Sequence, residues 1–238
     1  MHDPAADVVS LQQQLQTLTY GVSHDLRGPL RGIQTHVAML DKHLGDAVDP
    51  QARVHLDGIR DAAGRMGGLL DALSELSRAG RAPLRLEPLD LSLLADWAAA
   101  EVNDCSQSPQ VEVEVQPGLQ GFGDERLLKL ALDHLVANAC RFTRAAGSST
   151  PVQVEGAHAD GGLHLQVRDH GIGFDPQQAS RAFEPFVRLH GADRGAGNGL
   201  GLAIVHEVVR RHGGRIWAEG APDAGATFHL WLPDAPAG

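Results

Sequence analysis

The sequence predicts an α+β protein in two parts: a helical hairpin, then a sandwich with helices on one face of a mixed sheet. Three observations carry that reading. Apolar residues fall at Leu11, Leu15, Leu18, Val22, Leu26, Leu30, Ile33, Val37, Leu40 and Leu44. Steps of three and four describe one long helix with a continuous seam. "RAGRAPLRLEP" (78–88) then reads as a linker by composition, and beyond it the period shortens to two in "VEVEV" (111–115) and "LHLQVRD" (163–169), the alternation of half-buried strands. The expected boundaries are 1–80 for the hairpin, 81–89 for the linker and 90–238 for the sandwich.

Within the first helix, the four-residue steps from Leu18 to Leu30 form a stutter that locally unwinds a bundle. Asp49-Pro50 reads as an N-cap followed by proline at the first helical position. The second helix has Leu56, Ile59, Met66, Leu70, Leu73 and Leu76 as its seam, and it carries Gly58, Gly64, Gly67 and Gly68. Each of those glycines costs up to ~1 kcal/mol relative to alanine. Such a hairpin has too little core for one chain, so two copies are expected to form a four-helix bundle.

In the second part, Asp90 caps a short helix through Val102, and a longer helix runs from Asp124 to about Phe142. Strands are expected at 151–155 and 163–169. A glycine-rich region leads into a helix from about Leu200 to His212, which Gly213-Gly214 terminates. Two strands, around 215–219 and 226–232, close the unit.

The bulk numbers exclude several classes. With 238 residues, 42% of them hydrophobic, the chain can bury a real core. Its net charge of -10 argues against a nucleic-acid partner. Cys105 and Cys140 give no disulfide framework and fit a reducing, cytoplasmic setting. No apolar run approaches the ~18 residues of a membrane span, and no signal peptide opens the chain. The 13 histidines are scattered, without HExxH or CxxC spacing, which argues against structural zinc.

Three clusters carry chemistry. In "VSHDLRGPLRGI" (22–33), His24 lies two residues from Val22 and from Leu26, about 200° around the helix from each, and is expected to point outward. Asp25 beside it is suited to orient or deprotonate the imidazole. Pro29 cannot donate to the carbonyl of Asp25, so a bend is expected there. In the Asp124–Phe142 helix, Leu128, Leu132, Leu135 and Ala139 form the core face. His134, Asn138 and Arg141 form a polar stripe. An amide carbonyl is a hard oxygen suited to Mg²⁺ on phosphates, and an arginine one turn on suits phosphate charge.

The third cluster begins at Asp169, whose strand parity places a carboxylate on the apolar face, costly without a partner. Gly171 and Gly173 follow in "DHGIGF", and Gly197, Gly199 and Gly201 sit at a helix N-terminus, where free N–H groups favour phosphate. Lys42 and Lys129 are the only lysines and GxxxxGK[ST] is absent, so this is not a P-loop.

These residues carry a family resemblance covering about Leu11 to Pro233. The chain resembles the catalytic core of two-component sensor histidine kinases. "SHDLRGPL" is similar to the family's H box, "HLVANACRFT" to its N box, "DHGIGF" to its G1 box, "FEPFVRLH" to its F box and "GNGLGLAIV" to its G2 box. "SHDLRGPLRGI", "RLHGA" and "RRHGGRIWAEG" resemble the phytochrome-like branch.

The resemblance implies a dimeric helical bundle joined to a Bergerat-type ATPase domain. It also implies that His24 is the phospho-acceptor and Asp25 its orienting base, with ATP and Mg²⁺ as cofactors and Asn138 as the metal ligand. Asp169 would bind the adenine amino group, and the five glycines would shape the pocket and lid. Arg141 and Arg188 would meet phosphates, and His134, Phe142, Leu200 and Thr227 would complete the nucleotide site. Implied partners are a second copy, the receiver domain of a response regulator, and an upstream sensor domain or protein. About ten residues precede the first helix, which is expected to leave no room for a sensor.

Three residues depart from the family pattern: His134 where the N box starts with asparagine, His170 in place of the asparagine of DNG, and Gly28 where many relatives have threonine or asparagine. Two rival readings are a phosphotransfer scaffold with a degenerate nucleotide site and another ATPase of the same superfamily. The intact Asn138, Asp169 and glycines argue against the first, and the H box on a dimerising hairpin argues against the second.

Overall fold

Helices α1 (Pro4–Leu44) and α2 (Pro50–Arg81) form a hairpin, which makes the first unit as far as Arg78. The computed structural model describes residues 4–45, 49–104, 110–190 and 197–234, without the side chains of residues 4–20 or of His24. Asp49 caps α2 as expected, its Oδ2 accepting from the Ala52 N–H at 3.3 Å. The hairpin is pinned by Arg27, which reaches Asp71 Oδ1 and Ser74 Oγ at 2.9 Å each, and by Arg60, 2.8 Å from Asp41.

The continuous seam expected on α1 splits into two stripes, each with a seven-residue repeat. Ser23, Leu30 and Val37 are buried, whereas Leu26, Ile33 and Leu40 are 44%, 44% and 49% exposed. Helix α2 divides the same way: Leu56, Ala63 and Leu70 are buried, but Ile59 and Met66 stay open. One stripe per helix serves the hairpin. The other lines an apolar groove that includes Ile33, Val54, Ile59 and Met66.

A second compact unit begins at Ala79. Its five-stranded sheet has the order β2 (Val113–Val115), β4 (Val152–Ala159), β5 (Gly162–Asp169), β7 (Ala226–Pro233), β6 (Arg215–Gly220). Only the β2–β4 pair is parallel. Asp160 and Gly161, at φ 54° and 73°, make the tight β4–β5 turn, where left-handed residues match strand twist. The sheet's core face carries Val152, Val154, Leu163, Leu165, Val167, Phe228, Leu230 and Leu232, all at most 3% exposed.

Three helices accompany the sheet: α3 (Leu91–Asp104), α4 (Glu125–Ala146) and α5 (Gly201–Arg211). The core face expected on α4 is buried at Leu128, Leu132, Leu135 and Ala139. Cys140 is buried as well, and burial pushes its thiol up to about 11, so it is chemically quiet. The opposite sheet face carries a stack of His164, Trp217 and His229 with ring centroids 5.0–5.2 Å apart.

Several elements differ from expectation. β1 (Glu87–Asp90) pairs antiparallel with β3 (Gln120–Gly123), so the linker expected over 81–89 gives its last three residues to a strand. Pro88, Gly121 and Gly123 mask both strands, because proline and glycine demote a strand reading. A 3-10 helix, Pro176–Phe183, is also absent from the sequence reading, although Asp175 caps it. Helix α4 runs four residues past Phe142 to the cap at Gly147, whose φ of 67° supplies the left-handed stop.

Candidate nucleotide site

Asp169 ends β5 and lies opposite Ala226 of β7. Its side chain is 2% exposed. Oδ1 accepts from the N–H groups of Gly171 at 2.9 Å and Ala226 at 3.3 Å. Oδ2 is buried and has no hydrogen-bond partner among the described residues. Burial pushes this carboxyl up to about 6, against the pull of those two N–H bonds. An unpaired buried acceptor calls for a donor from a ligand.

The loop after Asp169 is pressed against α4. A β-carbon on Gly171 would lie 2.6 Å from the carbonyl carbon of Phe142, so only glycine permits this approach. Gly173, at φ 58°, sits against the Ala221 carbonyl and braces the loop against the β6–β7 turn.

The polar stripe of α4 converges on the glycine-rich turn. Arg141 Nη2 donates to Asn138 Oδ1, and the guanidinium stands 4.8 Å over the Phe142 ring. Burial lowers the Arg141 guanidinium from its usual range, and repulsion from Arg188 adds to this. Two mutually repelling cations favour an anion between them. A β-carbon on Gly197 would lie 2.6 Å from Arg141 Nη1, and one on Gly201 would lie 3.3 Å from His134 Nδ1. Helix α5 starts at Gly201 without a side-chain cap, which leaves first-turn N–H groups for an anion. Gly199, at φ 72°, accepts from the Phe186 N–H at 2.8 Å, tying in the segment before residues 191–196, which lie outside the described residues.

His134, Asn138, Arg141, Phe142, Asp169, Gly171, Arg188, Gly197 and Gly201 therefore border one region. Of the other expected members, Gly173 and Gly199 brace the loops on either side, and Thr227 and Leu200 face elsewhere. Thr227 lies opposite Arg168 and Glu219, and directly paired residues share a sheet face. Its side chain is on the face away from Asp169, and the Ala226 N–H makes the contact instead. Leu200 is fully buried and its N–H donates to Asn198 Oδ1 at 3.0 Å, so it packs beneath the turn. Sequence reasoning also missed His190, whose ring lies 5.1 Å from that of Phe142.

For Mg²⁺, Asn138 Oδ1 is one hard oxygen, and no group of three or more His, Cys, Asp or Glu side chains among the described residues is arranged to hold a metal. In the first unit, Asp25 is exposed and Ser23 buried; the outward direction expected for His24 falls outside the described residues. No helix among the described residues is long and apolar enough to cross a membrane.

Comparison with known proteins gives a consistent picture. The family "His Kinase A (phospho-acceptor) domain" matches residues 14–82, and "Histidine kinase-, DNA gyrase B-, and HSP90-like ATPase" matches residues 123–236. Phytochrome-like protein Cph1 of Synechocystis sp. is 30% identical over 92% of this chain and 29% of its own length. Phosphate regulon sensor protein PhoR of Pseudomonas aeruginosa is 31% identical over 93% of this chain and 50% of its own. The chain thus spans half or less of these relatives. The solved structure of full-length ShkA in complex with AMPPNP matches with a TM-score of 0.68 and 27% identity, over 93% of this chain and 46% of that one.

Proposed function

We propose a reaction for this chain from the fact that it belongs to the sensor histidine kinases, with a phospho-acceptor domain ahead of an ATPase domain. The chain binds ATP in the second unit, phosphorylates His24 and passes the phosphoryl group to an aspartate of a response-regulator receiver domain. The observation that carries this reading is the unpaired, buried Oδ2 of Asp169, in the same unit as the Arg141–Arg188 cation pair.

Each residue has a role that follows from its chemistry. Asp169 Oδ2 accepts from an exocyclic amine of the base. Arg141, Arg188 and the first turn of α5 hold phosphate oxygens, and Asn138 is the protein ligand to Mg²⁺, which neutralises phosphate charge when bound. At His24, an imidazole nitrogen forms a bond to the γ-phosphorus while the bond to the β,γ-bridging oxygen breaks and ADP leaves. Asp25 orients the ring and takes its N–H proton. Phosphoryl transfer of this kind needs mainly positioning and charge neutralisation. The partner reading is a homodimer through the hairpin, supported by the exposed second apolar stripe on both helices.

The test is γ-labelled ATP with wild type and His24→Ala. We expect acid-labile label on the wild type, none on the variant, and unchanged nucleotide binding in both, because pocket and nucleophile belong to different units. Label persisting on His24→Ala would overturn the assignment.

A further inference from the structure

The segment that opens the second unit, residues 79–85, is held by its main chain at four points. Arg211 Nη1 donates to the Ala79 carbonyl at 2.5 Å and Nη2 to the Ala82 carbonyl at 2.6 Å. Arg126 Nη2 reaches the Pro83 carbonyl at 3.4 Å, and the Arg85 N–H donates to Asp124 Oδ2 at 2.9 Å. Asp124 is itself 1% exposed. It caps α4 through the Leu127 N–H, accepts from Arg126, and its own N–H donates to His212 Nε2 at 2.9 Å. His212 in turn donates from Nδ1 to the Val208 carbonyl at 2.7 Å. Burial lowers the basicity of that imidazole, in keeping with its neutral, one-tautomer role.

Two features set this corner apart from ordinary packing. Ala79 and Ala82 flank the end of α2 at Arg81, where helix carbonyls lack intrahelical partners and a cation is favoured by the dipole. A forked guanidinium meets two carbonyls at once; a lysine has one point charge. The clamp also sits at the C-terminal end of α5, whose N-terminal end is the glycine turn of the nucleotide site. Eleven helical residues separate the two ends by about 16 Å.

We propose that Arg211, backed by the Asp124–His212 pair, is a positioning residue for autophosphorylation. It fastens residues 79–85 to the α5 rod, so that the segment leading from α2 is held relative to the bound phosphates. This rests on the kinase reading above, in which His24 precedes that segment in the sequence and the ATP-binding residues follow it. Arg211 touches neither reactant, so its effect belongs on turnover and not on nucleotide affinity.

The experiment uses the whole 238-residue chain as wild type, Arg211→Lys and Arg211→Ala, with three readouts. The first is limited trypsin cleavage after Arg81 and Arg85, mapped by mass. The second is the Kd of a non-hydrolysable ATP analogue, and the third the rate of phosphohistidine formation at saturating ATP. Loss of the fork should speed cleavage at Arg81 and Arg85 by about tenfold or more, since cleavage follows local opening. Arg211→Ala should slow phosphorylation at saturating ATP by about tenfold, leave Kd within about twofold, and place Arg211→Lys between the two.

Unchanged cleavage in Arg211→Ala would overturn the clamp. Faster cleavage with wild-type turnover would reduce it to a structural tie and overturn the positioning role. A matching loss of nucleotide affinity would assign the defect to the pocket, with the same result. If wild type forms no phosphohistidine, the kinase reading fails by itself, and the positioning role built on it fails with it, while the cleavage pattern still decides whether the clamp exists.

Discussion

Replacing Asp169 by asparagine separates what the carboxylate does for a ligand from what it does to the fold. Burial moves its carboxyl from the ordinary 3.8 to about 6, a rise of about two pH units, or roughly 3 kcal/mol against the charged form at neutral pH. The sign follows from the direction. The fold prefers the protonated acid, so stability falls as pH rises from about 4 to about 6 and is flat above. Integrating between the two values, the charge costs about 1 kcal/mol at pH 4.5 and about 3 kcal/mol at pH 7.5. The substituted amide would keep its oxygen for the N–H groups of Gly171 and Ala226 but would place an unpartnered NH₂ where Oδ2 stood, costing about 1–3 kcal/mol. Asp169→Asn should therefore gain roughly 2 kcal/mol on wild type between pH 4.5 and pH 7.5, and near pH 7.5 it should be at least as stable.

The assay is urea unfolding at both pH values followed by tryptophan fluorescence. Trp97, Trp217 and Trp231 are the only tryptophans and all lie in the second unit, so the signal reports that unit alone. Nucleotide binding should move the other way. An amide facing the amine of the base sets donor against donor, so Kd should rise roughly a hundredfold or more. Wild-type affinity itself should weaken below about pH 6, by up to about tenfold per pH unit. Wild-type affinity in Asp169→Asn, or identical pH profiles of stability in the two proteins, would refute the reasoning.

Two further predictions concern the first unit. Glutamates in place of Ile59 and Met66, each nearly half exposed on one chain, should give monomers where wild type sediments as a dimer at micromolar concentration, because a symmetric interface loses both anchors twice at about 2 kcal/mol each; a dimeric variant, or a monomeric wild type, would contradict the interface. Gly28 is exposed in α1 and a β-carbon there would meet nothing within 4 Å, so Gly28→Ala should stabilise the helix by up to ~1 kcal/mol. Glycine offers no hydroxyl or amide to orient water one turn beyond His24, so the ADP-loaded wild type should barely hasten decay of a phosphorylated regulator and Gly28→Thr should hasten it more; rapid decay with wild type would show that another group positions the water.

Local signals make most of the architecture legible. The 3.6 period marks α1, α2 and α4, the Asp49-Pro50 and Asp90 caps mark two helix starts, and parity alone puts Asp169 inside. The missed strands and the misplaced Thr227 fall where the deciding contact lies far along the chain. β1 and β3 are strands because they pair with each other across about 30 residues, and neither alternates. The family resemblance assigns Thr227 to the pocket, but the β5–β7 register decides its face, and a shift of one residue exchanges Thr227 for Ala226.

The same distinction explains why the Arg211 clamp left no trace in the sequence. Its acceptors are carbonyls of Ala79, Ala82 and Pro83, groups that every residue carries, so composition reads the segment as a plain linker. Their donors are Arg211 and Arg126, and Arg211, at the end of an amphipathic helix, looks like the cationic last turn that favours any helix C-terminus. Only the return of α5 to the start of its own unit brings 211 within reach of 79, a separation of 132 residues. Asp124 behaves likewise: its capping role is readable from Leu127 alone, while its bonds to Arg85 and His212 span 39 and 88 residues. A residue with a sufficient local explanation can thus carry a second, long-range role, and in this chain the two residues that do so hold opposite sides of the same corner.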